Sequence, residues 1–115
     1  MPLLEIRTSN DLFESVREKI LREASHCVAS TLGKSEESVM VILESAHGLF
    51  GGDPGPCAFI ELRSVGGLDS QTSERVAVEL CALLEAEADI PANRVYLNFV
   101  EVERSRWGWN AGLLP

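Results

Sequence analysis

The sequence predicts an α+β fold: two βαβ units forming a four-stranded mixed sheet with two helices on one face. Three observations point there. Short apolar segments of strand-like composition flank two long stretches in which apolar residues recur at three- and four-residue steps. The order strand, helix, strand occurs twice, on either side of a turn-rich stretch from His47 to Pro56. Corresponding elements begin at nearly equal spacing, Asp11 against Asp69 and Val39 against Val95. Residues 1–56 and 57–115 therefore read as a pseudo-repeat within one domain.

Leu3 to Thr8 alternates with Glu5 and Arg7 and reads as the first strand. Asn10 is the expected N-cap of a helix starting at Asp11, whose stripe is Phe13, Val16, Ile20, Ala24, Cys27 and Thr31. Gly33 ends it, as a residue that tolerates the left-handed C-terminal turn. Val39 to Leu43 is too short for a helix and rich in apolar and β-branched residues, so it is expected as a central strand. Cys57 to Val65 sets Phe59, Glu61 and Arg63 against Ile60, Leu62 and Ser64, a strand with one more polar face. After Gly66-Gly67, Asp69 or Ser70 caps a second helix with Val76, Leu80, Leu83 or Leu84, and Glu87 or Ala88 on its stripe. Pro91 closes that helix, and Val95 to Val102 forms the last strand. A helix of this length can return the chain for parallel pairing, and right-handed crossovers put both helices on one face.

Composition narrows the function classes. Of the 115 residues 10 are Lys or Arg and 18 Asp or Glu, a formal charge of −8. No basic stripe interleaved with aromatics relieves this acidity, so nucleic acid is not an expected partner. The longest apolar run, Val39 to Leu43, falls far short of the roughly 20 residues needed to span a bilayer, so no membrane partner is expected. Glu5, Asp11, Glu14 and Glu18 interrupt any signal-like h-region, and the expected location is cytoplasmic. Cys27, Cys57 and Cys81 are odd in number and set among apolar residues, which predicts buried free thiols and no metal or disulfide framework. Apolar side chains on both faces of the strands would leave one face uncovered, so a symmetric oligomer is expected.

Hydrolase elbows, dinucleotide and phosphate loops and zinc motifs are missing, and no cofactor is expected. His26 and His47 read as ordinary helix and loop residues, and Glu36-Glu37 as a solvated turn. The distinctive feature is Met1-Pro2 directly before a strand. Removal of Met1 would leave a secondary amine at Pro2, and an apolar or cationic setting would favour its free base at neutral pH.

Met1-Pro2, Leu32-Gly33-Lys34 then Val39-Met40, Phe50-Gly51-Gly52 with Pro56-Cys57-Ala58, Ser64-Val65-Gly66, Arg94-Val95-Tyr96-Leu97-Asn98-Phe99 and Gly108-Trp109-Asn110 occur in order along the whole chain. This set resembles the macrophage migration inhibitory factor family of the tautomerase superfamily. The resemblance implies a homotrimer and a keto-enol tautomerase acting on phenylpyruvate-like or dopachrome-like compounds. It implies Pro2 as the catalytic base, Lys34 as the cation for an anionic small-molecule substrate, and Ser64 and Val65 at a substrate-contacting strand end. It further implies Tyr96 and Asn98 reaching in from the adjacent subunit and Trp109 at the pocket mouth. Leu114 stands where many relatives carry an aromatic residue, and Trp107 adds a second large ring. Cys57-Ala58-Phe59-Ile60 lacks the second cysteine of the Cys-x-x-Cys found in many relatives, so thiol-disulfide exchange is not expected. Two rival readings remain: a cytokine-like ligand for a receptor protein, exported by a leaderless route, and a βαββαβ regulatory module binding amino acids between subunits.

Overall fold

The computed structural model describes residues 1–115. Its strands and helices follow as β1 (Pro2–Thr8), α1 (Glu14–Leu32), β2 (Met40–Ser45), β3 (Ala58–Ser64), α2 (Ser70–Ala88) and β4 (Val95–Glu101). A short C-terminal hairpin, β5 (Gly108–Trp109) with β6 (Gly112–Leu113), completes the chain. The main sheet has the order β2-β1-β3-β4, with β1 parallel to β2, antiparallel to β3, and β3 parallel to β4. This is the mixed four-stranded sheet expected, with α1 and α2 on one face. No helix is long and apolar enough to cross a membrane.

The two-residue period of a strand explains which face is buried. Pro2, Leu4, Ile6 and Thr8 of β1 and Ala58, Ile60, Leu62 and Ser64 of β3 all point at the helices and are buried. The helices answer with Ile20, Ala24 and Val28 from α1 and Val76, Leu80, Leu84 and Ala88 from α2. Each fully buried aliphatic side chain stabilises the fold by about 1.5–3 kcal/mol relative to exposure, which makes this single layer the main driving force. Asp69 caps α2 by accepting from the Thr72 amide at 2.8 Å, and Asp89 ends that helix in a left-handed turn with φ 54°. Gly33 ends α1 the same way, at φ 65°.

Several expectations are corrected. Asn10 does not cap α1; the helix begins at Glu14 after Phe13, whose side chain makes no capping bond. The Asn10 amide donates instead to the Ala88 carbonyl at 2.9 Å, tying the entry of α1 to the end of α2. Phe13 is 83 % exposed, while Val28 and Ala29 are buried, so the true stripe lies further along the helix. β2 is an edge strand, not a central one: Val41 and Leu43 pack inward, while Met40 and Ile42 face solvent. The three thiols are free and only partly buried.

The face away from the helices mixes apolar and charged side chains. In its middle Glu5 lies directly opposite Glu61, a like-charge pair that would destabilise the sheet alone. Arg63 pairs with both carboxylates, and Arg7 bridges Glu5 at 3.6 Å and Glu44 at 3.0 Å. Met40, Ile42, Tyr96 and Val100 are the exposed apolar residues on this face.

This packing makes a direct contrast between two large apolar residues. Leu62→Ala should cost about 3 kcal/mol in urea unfolding, because its cavity lies in the middle of the core. Phe13→Ala should change stability by less than about 0.5 kcal/mol. Equal losses for the two variants would contradict the burial described.

Candidate active site

β1 begins at the mouth of the largest cavity, about 800 Å³, lined by residues 1–3, 35, 37–40, 63, 102 and 106–109. Pro2 is one of the lining residues, is itself buried, and lies opposite Ser64 in the antiparallel β1–β3 ladder. Proline fits there because the first position of a strand loses little for want of an N–H. The Ser64 hydroxyl is fully buried and has no hydrogen-bond partner.

One residue beyond Ser64, the Val65 carbonyl accepts a hydrogen bond from Lys34 Nζ at 2.9 Å. Gly33 makes this possible: its left-handed turn ends α1 and sends Lys34 across to the end of β3. Lys34 is thus held near the start of β1 without lining the cavity itself. With Met1 in place, the Pro2 nitrogen is part of a peptide bond and the terminal amine is that of Met1. Burial, then the charges of Lys34 and Arg104, hold that amine below the ordinary α-amino range. Burial and charge at this end of β1 together favour a neutral nitrogen.

Of the other residues expected at the site, Trp109 lines the cavity and Val65 presents its carbonyl to Lys34. Leu114 does not line it; its amide donates to the Trp107 carbonyl at 3.0 Å and ties the C-terminus to the hairpin. Tyr96 and Asn98 lie on the outer sheet face, opposite Phe59 and Glu61 of β3. At about 3.3 Å per residue, Tyr96 lies roughly 17 Å along the sheet from the level of Ser64 and Pro2. Within one chain neither residue reaches Pro2. Tyr96 instead packs on Phe50, ring centroids 5.0 Å apart, in a second cavity of about 270 Å³. Arg94 organises that end, donating to the Pro56, Asp53 and Gly55 carbonyls at 2.7, 2.9 and 3.0 Å.

Reasoning from sequence missed the Ser35 to Met40 wall, Arg63 and Arg106 as cavity residues. Arg104-Ser105-Arg106 beside two tryptophans, in a chain this acidic, was the available signal. His26 and His47 are exposed and away from the cavity, as expected of ordinary residues.

Residues 1–114 match the sequence profile of the Macrophage migration inhibitory factor (MIF) family. The chain belongs to the MIF family. Among its relatives, the Macrophage migration inhibitory factor homolog of Brugia malayi is 36 % identical over 111 residues, 96 % of each chain. The crystal structure of the MIF-like protein of Entamoeba histolytica superposes with a TM-score of 0.94 at 29 % identity, covering 97 % of both chains. A more distant structure, of a protein inactivated by 2-oxo-3-pentynoate, shares the fold at a TM-score of 0.87 and 18 % identity, over 96 % of this chain and 93 % of that one. MIF membership brings with it the tautomerase-superfamily fold.

The thiols separate from this site. Cys27 Sγ donates to Glu79 Oε2 at 3.1 Å, and burial, followed by that carboxylate, pushes the thiol up to about 12. At pH 8 about one molecule in 10⁴ then carries the thiolate, the reactive form. Mass mapping after brief iodoacetamide treatment at pH 8 should find Cys27 unmodified in the folded protein and modified after unfolding. Rapid labelling of folded protein would contradict the burial, and with it the Glu79 contact, that keep the thiol protonated.

Proposed function

We propose that the chain, once Met1 is removed, is a keto-enol tautomerase of small aromatic 2-oxo acids, phenylpyruvate-like, or of dopachrome-like compounds. The observation that carries this reading is the position of Pro2, buried in the cavity wall with Lys34 anchored one residue past its cross-strand partner. The inactivation of a fold neighbour by a small 2-oxo acid supports it.

The chemistry follows from the freed imino nitrogen. Its lone pair takes a proton from the carbon next to the ketone, and the C–H electron pair moves into the enolate. The proton then returns to the enolate oxygen, leaving the enol and the free base. Lys34 holds the substrate carboxylate, and as a like charge it also disfavours protonation of the amine. Ser64 and the Val65 backbone border the reacting carbons, Trp109 shapes the mouth, and Leu114 braces the hairpin that carries Trp109.

Tyr96 and Asn98 enter from a neighbouring subunit of a homotrimer formed through the outer sheet faces. This gives those faces a cover and the two side chains a role that one chain cannot give them. The names of the relatives favour a second reading, a cytokine-like ligand for a receptor protein, acting after leaderless export from the cytoplasm. That role does not require a basic Pro2, so Pro2→Gly separates the two.

Intact-mass analysis should show loss of Met1, and the processed chain should tautomerise phenylpyruvate. Pro2→Gly should lower kcat/KM by about 10² or more with the assembly unchanged; equal rates would remove Pro2 from the mechanism. Because a protonated amine is no base, activity should fall as pH drops through the amine's pKa. In the native protein that acid limb should lie below the ordinary α-amino range, since the burial and charges that act on Met1 act at the same end of β1. Lys34→Ala removes a like charge, so it should move the limb to higher pH and raise KM for carboxylate substrates. A limb that stays in place with KM unchanged would contradict both roles.

A further inference from the structure

We propose that Arg106 makes this cavity selective for aromatic 2-oxo acids carrying a second anionic group, a deepening that rests on the function proposed above. The chain is acidic, with a formal charge of −8, yet the charged side chains lining the cavity are Arg63, Arg106 and a single carboxylate, Glu37. The basic groups around it differ in what they already hold. Arg63 is paired with Glu61 and Glu5 on the sheet. Arg104 Nε donates to the Pro115 carbonyl at 2.8 Å, and Lys34 Nζ to Val65. The Arg106 guanidinium makes no hydrogen bond, and its one ion pair, with Glu103 at 3.9 Å, is loose and solvent-exposed on both sides, so all its donors are open to a ligand.

The backbone carrying Arg106 is nevertheless fixed. Its amide donates to the Glu103 carbonyl at 2.9 Å, and the next residue, Trp107, is bonded on both sides, to Arg104 at 3.2 Å and from Leu114 at 3.0 Å. A guanidinium with free donors therefore stands in the same wall as Trp107 and Trp109. Its planar fork suits a carboxylate, sulfonate or phosphate, while the tryptophans offer apolar area for an aromatic ring. Lys34 stands outside this wall, at the end of β3, so the carboxylate contact of the proposed function and the Arg106 contact fall on separate segments. Exposed arginines are commonly just solvated, and an exposed pair contributes little, so the expected preference is modest, about three- to ten-fold.

The test compares phenylpyruvate with para-carboxyphenylpyruvate on the Met1-free protein, Arg106→Gln and Arg106→Lys, at low and high salt. The wild-type protein should prefer the dianion in kcat/KM by about three- to ten-fold, chiefly through KM, and salt should erode that preference. Arg106→Gln should bring the ratio of the two substrates to about one or below, and Arg106→Lys should recover part of it. The same ratio in wild type and Arg106→Gln would overturn the proposal. Turnover of neither substrate would sink the tautomerase reading instead. Calorimetry then decides the present one: tighter binding of the dianion, lost in Arg106→Gln, supports it, and equal binding of both acids overturns it.

Discussion

The antiparallel pairing of β1 with β3 is the contact on which the rest of the structure depends. It joins the two βαβ units into one sheet and puts the first strand of the chain in the interior, with β2 on its other side. The pairing also sets the register that faces Pro2 toward Ser64 at the helix side. Side chains alternate strictly along a strand, so a slip of one residue would turn Pro2 outward and drive Leu3 and Glu5 into the core. Burial of Leu4, Ile6, Ile60 and Leu62 holds the register against that slip. The position of the N-terminal residues at the cavity is thus a consequence of core packing.

Charge is distributed with the same economy. The outer sheet face carries Glu5 and Glu61 side by side, and two arginines neutralise them there. At the opposite end of the strands from Tyr96, burial and then the charges of Lys34 and Arg104 act on the terminal amine. A protein of net negative charge thereby gains one local region that attracts small anions, and the same region disfavours a protonated nitrogen.

Much of the fold was legible in the sequence because one core layer decides it. Strand alternation around Glu61 and Arg63, the Asp69 cap and the Gly33 stop all work locally, and each was readable. Asn10 was misread because its amide answers a carbonyl at the end of α2, a partner that no local pattern reveals. β2 looked central because its exposed Met40 and Ile42 are as apolar as a buried strand's side chains. For the site, Pro2 and Trp109 line one cavity and Lys34 is bonded to Val65 beside it, while the roles the resemblance gives them are the proposal made above. Tyr96 and Asn98 do not join them within one chain, and Leu114 serves the hairpin. Arg106 escaped notice because an arginine on a short turn carries no periodic signal.

The central claim is that the freed Pro2 nitrogen is the reactive base of the cavity. 2-Oxo-3-pentynoate tests it directly, since an alkyne conjugated to a ketone is captured by a neutral amine through addition to the triple bond. Peptide mapping of the Met1-free protein after treatment should place one adduct on the N-terminal peptide, at Pro2, with parallel loss of activity. An adduct elsewhere, or inactivation with Pro2 unmodified, would contradict the account.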